Sequence, residues 1–229
     1  FSRFKIKRQL LILYISAIVI PVLIIGTFLI ISMSNLLTNY HRDLLESDNL
    51  RVKTILFEIT AQLYNVSEEL SFDKNLQQIL SGKYRVESSF LEDLEAFESS
   101  QSYMTHYTEI EDIRIYTNNP SIDETGQLYH TTPEIEQTDW YQKALGQSGV
   151  FWVPFNRQDQ YGNQYWNLCL VRKVPIVNSN YDAVLVIYLS DNYLKSRINN
   201  NAYGTSISID DISVIYSSKR DEYGTEAFF

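Results

Sequence analysis

DWYQKALGQSGVFW, residues 139–152, decides how the chain is read. Thr138 or Asp139 can cap a short helix over Trp140 to Leu145, Gly146 closes it, and Val150 opens a strand. Strand patterns lie on both sides. Upstream, Ile113 and Ile115 alternate with Asp112, Arg114 and Tyr116 until Asn118-Asn119-Pro120 ends the run. Gln127 to Thr131 reads as a short second strand and Val150 to Phe155 as a third. A hairpin loop, Asn156 to Asn163 with Tyr161-Gly162-Asn163 near its tip, leads to a long fourth strand, Gln164 to Val174, stopped at Pro175. Ala183 to Ser190 is a fifth, nearly all apolar, hence central or covered on both faces. The order predicts an α+β fold: an antiparallel five-stranded sheet with helices on one face.

Before the strands the period is helical. Leu45, Val52, Leu56, Ile59, Leu63, Val66 and Leu70 recur at heptad-like steps in a stretch, 35–70, without proline or glycine. Such a stripe packs on its own domain or on the same helix of a second copy. Near the membrane, around Leu37, Tyr40 and Leu44, the second reading is preferred. A further short helix is predicted over Ser71 to Leu80, with Phe72, Leu76, Ile79 and Leu80 inward, and another from about Glu87 to Tyr107. After the sheet, Asn192 to Ile198 reads as a helix. Thr205 to Asp210 and Ile212 to Ser217 read as a hairpin turning at Asp210-Asp211.

Further out lies Leu10 to Met33, 24 residues without a charged side chain. As a helix this run is about 36 Å long, enough to cross a bilayer core of about 30 Å. It exceeds the roughly 7–15 residues of a signal-peptide core. Pro21 and Gly26 inside it are tolerated in membrane helices. Arg3, Lys5, Lys7 and Arg8 precede it without an acid, which predicts a cytoplasmic N-terminus and an outer remainder after residue 33. All 28 acids follow the run with 15 of the 19 bases, so the outer part carries 15 − 28 = −13. That charge argues against direct nucleic-acid contact. The single cysteine, Cys169, excludes an intrachain disulfide. The chain starts at Phe1 and stops at Phe229 without a second apolar run, and is expected to be a piece of a longer protein.

Enzyme chemistry has little support. His41, His106 and His130 stand apart in sequence, with no metal-ligand spacing, and no G-x-S-x-G or phosphate-binding glycine loop occurs. No metal and no cofactor is expected. Glu109, Glu111 and Asp112 read as a solvated run. The aromatic content is the stronger signal. The chain holds 17 tyrosines and 3 tryptophans, and Trp140, Tyr141, Trp152, Tyr161, Tyr165 and Trp166 fall close together. Such rings either fill a core or line a pocket, where the face stacks and the polar tip orients a ligand. Asn167 among apolar neighbours is the odd residue on its strand. The candidate ligand site is Tyr129, Trp140, Tyr141, Trp152, Asn167 and Tyr188.

Residues 139–152, with the "WY..A" helix before a Gly-start strand, resemble the extracytoplasmic double Cache sensor domains. The basic start followed by Leu10 to Pro21 is similar to the YesM-type sensor histidine kinases of Gram-positive bacteria. The resemblance implies a PAS-like membrane-distal module over residues 34–190, together with the long helix. It implies the start of a smaller membrane-proximal α+β module over 191–229, a second membrane helix further on, and cytoplasmic signalling domains. With residues 1–9 cytoplasmic and 10–33 spanning, the expected partners are a small-molecule ligand, membrane lipid and a second copy of the chain. Amino-acid-binding Cache domains carry an Arg two residues before the motif Trp, an Asp three after it, and an Asp in the last distal strand. Here these positions hold Thr138, Lys143 and Tyr188, so the resemblance points to a less charged ligand, such as a sugar or a peptide. The alternatives are the outer domain of a one-component membrane-bound transcription regulator or of a chemoreceptor. A phospho-acceptor histidine or a helix-turn-helix in the downstream sequence discriminates kinase from regulator.

Overall fold

The computed structural model describes residues 2–85, 87–97, 106–158, 162, 164–177, 179–199, 204–209 and 213–217. Outside them lie residues 98–105 of the expected Glu87–Tyr107 helix, Tyr161 and Asn163 of the hairpin tip, and the Asp210-Asp211 turn. The chain forms two compact units, Phe1–Lys53 and Thr54–Phe229.

In the first unit, α1 (Ser2–Tyr14) passes through one π turn (Ile15–Val19) into α2 (Ile20–Ser71). The widened turn falls just before Pro21, which lacks an N–H and cannot continue regular helical bonding. The hydroxyls of Ser16 and Thr38 donate to Leu13 O and Ser34 O, so both are satisfied within the helix. The side chains from Leu10 to Met33 are nearly all exposed. The helical stretch that holds them, Ile6–Ser71, is long and apolar enough to cross a membrane.

In the second unit α2 buries Ile59, Leu63, Val66 and Leu70, so this part of the stripe packs on its own domain. Asp73 caps α3 (Lys74–Ser81) by accepting from Leu76 N at 2.9 Å. Leu76, Ile79 and Leu80 are buried as the spacing predicts, but Phe72 is exposed. Residues 72–73 belong to the break between α2 and α3, which takes Phe72 off the helical face. After α4 (Glu87–Ala96) come β1 (Ile110–Thr117), β2 (Leu128–His130), α5 (Pro133–Glu136), α6 (Asp139–Gly146), β3 (Val150–Gln158), β4 (Gln164–Val174), β5 (Ala183–Leu189) and α7 (Asp191–Ile198). A separate pair, β6 (Ser206–Ile209) and β7 (Ser213–Ser217), follows.

The sheet order is β2-β1-β5-β4-β3. The α+β five-stranded sheet stands, with two corrections. First, it is mixed: β2 runs parallel to β1, with Ile115 opposite Leu128 and Thr117 opposite His130. The long 118–127 connection carries the chain back alongside β1 before β2 begins. Asn119 Nδ2 ties that loop to Leu80 O and Gly82 O. Second, helices lie on both faces. α6 packs on β4 and β5 from one side, while Arg172 of β4 meets Ser67 of α2 on the other. β5 is buried at every position, as a strand covered on both faces must be. Thr138 occupies the N-cap position of α6, but its hydroxyl donates to Ile135 O at 2.6 Å and does not cap.

Candidate functional site

Register places side chains on the two faces of the sheet. On the α6 side stand Asp112, Arg114 and Tyr116 of β1, Tyr188 of β5, Asn167, Cys169 and Val171 of β4, and Phe151, Val153, Phe155 and Arg157 of β3. α6 covers part of this face with Trp140, Tyr141 and Ala144.

Aromatic rings run across it, edge to face around Trp140 and tilted at Tyr116–Tyr129 and Phe155–Tyr188. Tyr116 lies 5.7 Å from Tyr129 and 5.7 Å from Trp140. Trp140 lies 5.6 Å from Tyr141 and 5.2 Å from Phe155, and Phe155 is 5.9 Å from Tyr188. Tyr129, Trp140 and Phe155 are half-buried, so part of each ring remains accessible. The Tyr141 hydroxyl is 3.2 Å from Thr131 Oγ1. Tyr129 donates to Gly126 O.

One end of the face is charged. Arg114 Nε bonds Asp112 Oδ2 at 2.8 Å, and its guanidinium stands 5.2 Å from the ring centres of both Tyr129 and Tyr188. Arg157 Nη1 bonds Glu111 Oε1 at 3.2 Å, its Nη2 lies 3.6 Å from Asp112 Oδ2, and it covers Tyr188 at 4.7 Å. Asn167 Nδ2 donates to Glu111 Oε2 at 2.8 Å and to Leu189 O at 3.1 Å. Its Oδ1 is buried and has no hydrogen-bond partner among the described residues. Burial pushes the Tyr188 phenol well above the usual tyrosine range, so it stands as a neutral hydroxyl. Burial also pushes the Cys169 thiol well up. Burial disfavours the Arg114 cation, but hydrogen bonding to Asp112 and Tyr116 and the charge of the Asp112 carboxylate act together against it and hold the guanidinium charged.

Of the six residues read from sequence, Tyr129, Trp140, Tyr141 and Tyr188 meet in this aromatic row, and Asn167 joins its charged end. Trp152 does not. It pairs with Leu170 in β3 and stands on the opposite face. Sequence reasoning passed over Arg114, Arg157, Glu111, Asp112, Tyr116 and Phe155. The available signal was the alternation Asp112, Arg114, Tyr116, which puts two charges and a phenol on one face of a central strand. No cluster of His, Cys, Asp or Glu fit to hold a metal occurs among the described residues.

No protein-family model matches the chain, and no curated protein matches it either. Solved structures do. The extracellular domain of the histidine kinase designated vpHK1S-Z8 superposes with a TM-score of 0.57 at 14% identity, over 82% of this chain and 73% of that one. A domain of a sensory box/GGDEF family protein from Vibrio parahaemolyticus gives 0.55 at 13%, over 77% and 71%. The ligand-binding domain of the Pseudomonas aeruginosa amino-acid chemoreceptor PctC, in complex with GABA, gives 0.50 at 15%, over 81% and 78%. The chain has the fold of these sensor domains.

Proposed function

We propose that this chain is the ligand-sensing outer part of a membrane signalling receptor, a sensor histidine kinase of the YesM type. The observation that carries the reading is the face under α6. Half-buried rings and a partly exposed ion-pair network meet there, on strands whose other face is mostly buried and aliphatic. A ligand held by Tyr129, Trp140, Tyr141, Asn167 and Tyr188 acts on β4 and β5. On the far side of β4, Arg172 donates to Ser67 Oγ at 3.1 Å and stacks at 5.3 Å on Tyr64, both on α2. α2 is continuous to Ile20, so a shift at the site has a covalent route toward the membrane run.

In this reading residues 1–9 are cytoplasmic, 10–33 span the lipid, 34–190 carry the distal sensor module, and 191–229 begin a membrane-proximal module. A second copy packs along α2. Leu37, Tyr40 and Leu44 are exposed there. A ligand biases such a dimer only by binding two helix arrangements unequally. Single cysteines placed along Leu36 to Leu45 of the Cys169→Ala protein test this. Cross-linking with a helical period, redistributed by ligand, is the expected result. Uniform or absent cross-linking removes the helix-mediated signal. Protease added to wall-free cells should cut beyond residue 34 and spare the N-terminus.

A further inference from the structure

The charge state of the site points to a class of ligand. On this face two guanidinia, Arg114 and Arg157, stand with two carboxylates, Glu111 and Asp112, all tied to one another within 2.8–3.6 Å. The network sums to zero. An ion entering the network meets no uncompensated partner within it, Lys143 standing over the Phe151 ring at 4.7 Å at the other end of β3, and must either stay unpaired or break a partly buried pair, which is costly. A neutral molecule pays neither cost. The same groups are nevertheless rich in hydrogen-bonding capacity: each guanidinium carries five donors, and each carboxylate about four acceptor sites. Asn167 adds a buried acceptor, Oδ1, that no described residue satisfies. A group that both donates and accepts, repeated at short intervals, suits planar polar side chains of both kinds. Hydroxyls on adjacent ring carbons are such groups. Beside the network lie the half-buried rings of Trp140, Phe155 and Tyr129, where apolar C–H faces can stack.

We infer that the face under α6 takes an uncharged saccharide. Its ring lies against Trp140 and Phe155, and its hydroxyls engage Arg114, Arg157, Asp112 and Asn167. This rests on the proposed ligand site and adds its chemistry.

The test is calorimetric titration of the full chain in lipid nanodiscs. The probes are glucose, galactose, maltose and cellobiose, their charged relatives glucuronate and glucosamine, and the amino acids valine and GABA. At least one neutral saccharide should bind, with its charged relatives about tenfold weaker or more. Trp140→Ala should weaken it about tenfold, and Trp152→Ala should not. Arg157→Gln leaves the network at −1 and should shift preference from glucose toward glucosamine. This variant alters a partly exposed side chain and keeps the test valid where Trp140→Ala disturbs folding. Valine or GABA binding that depends on Trp140, with no saccharide binding, overturns the ligand class and leaves the site standing. Saccharide binding that ignores both Trp140→Ala and Arg157→Gln overturns the location. No binding by any neutral saccharide, or an unchanged preference in Arg157→Gln, overturns the charge-balance argument.

Discussion

The two faces of the central sheet are made by the same strands and could hardly differ more. Toward α2 they present Ile113, Ile115, Leu170, Leu185 and Ile187, aliphatic and fully buried, with Trp152 and Arg172 beside them on β3 and β4. Toward α6 they present aromatic rings, two arginines, two acids, an amide and a thiol. Strand alternation allows this at no cost to either face. One side is mostly close-packed hydrocarbon and holds the fold. The other keeps hydrogen-bonding groups and partly accessible rings within a few ångström of one another, where a ligand can compete for them.

The largest expected effect is on the aliphatic side. Leu170→Ala should cost about 2–5 kcal/mol, since a fully buried leucine leaves a cavity that rigid neighbours fill poorly. Tyr129→Ala, half-buried at the sheet edge, should cost clearly less. Chemical denaturation of both variants measures the gap. Equal losses would erase the distinction between the faces and make the aromatic row ordinary core.

The next prediction uses the tryptophans that straddle the sheet. Trp140 has edge contacts with three aromatic rings, each worth about 0.5–1.5 kcal/mol beyond area, so Trp140→Ala should lower stability as well as ligand response. Trp152 lies on the α2 side, so Trp152→Ala should lower stability and leave ligand affinity unchanged. Affinity measured on the two variants under fully folding conditions separates the roles. Loss of binding in Trp152→Ala alone would place the site on the wrong face.

Trp152 also shows what was legible in the sequence. Strand positions and the fourth strand's span, Gln164–Val174, followed from hydrophobic period and turn residues, which are local signals. The aromatic cluster was visible as composition. Which face each ring took depended on parity along β3, and Trp152 is one residue out of step with Phe151, Val153 and Phe155. The parallel pairing of β2 was hidden because three residues carry no directional pattern. The charged end was hidden for another reason. Glu111 and Asp112 resemble any solvated acid run until β3 brings Arg157 to them, 46 residues away in sequence for the Glu111 contact. Such pairing across a sheet leaves no local mark.

The smallest effect is on pH dependence, and again it belongs to the α6 face. Cys169, Tyr141 and Tyr188 all stand there with ionisation raised by burial. Tyr84, elsewhere, is raised by burial and by its hydrogen bond to Asp93. An unfolded thiol ionises near pH 8.5 and an unfolded phenol near pH 10. Above those values the unfolded chain has released protons that the folded chain still holds, so stability must fall as pH rises. The contribution of these groups is fully present below about pH 8.5. It is lost first through Cys169 and then, above about pH 10, through the tyrosines, with no single group exceeding about 1.4 kcal/mol per pH unit. Cys169→Ala should flatten the first part of the decline and Tyr188→Phe the second. Leu170→Ala should lower the whole curve without changing its slope, because no ionisable group is removed. Denaturation midpoints from pH 7 to 11 for the three variants check this. A slope unchanged in both Cys169→Ala and Tyr188→Phe would mean that these groups ionise in the folded chain at ordinary values. The α6 face would then be open to water, and too wet to hold a ligand by a neutral ion-pair network.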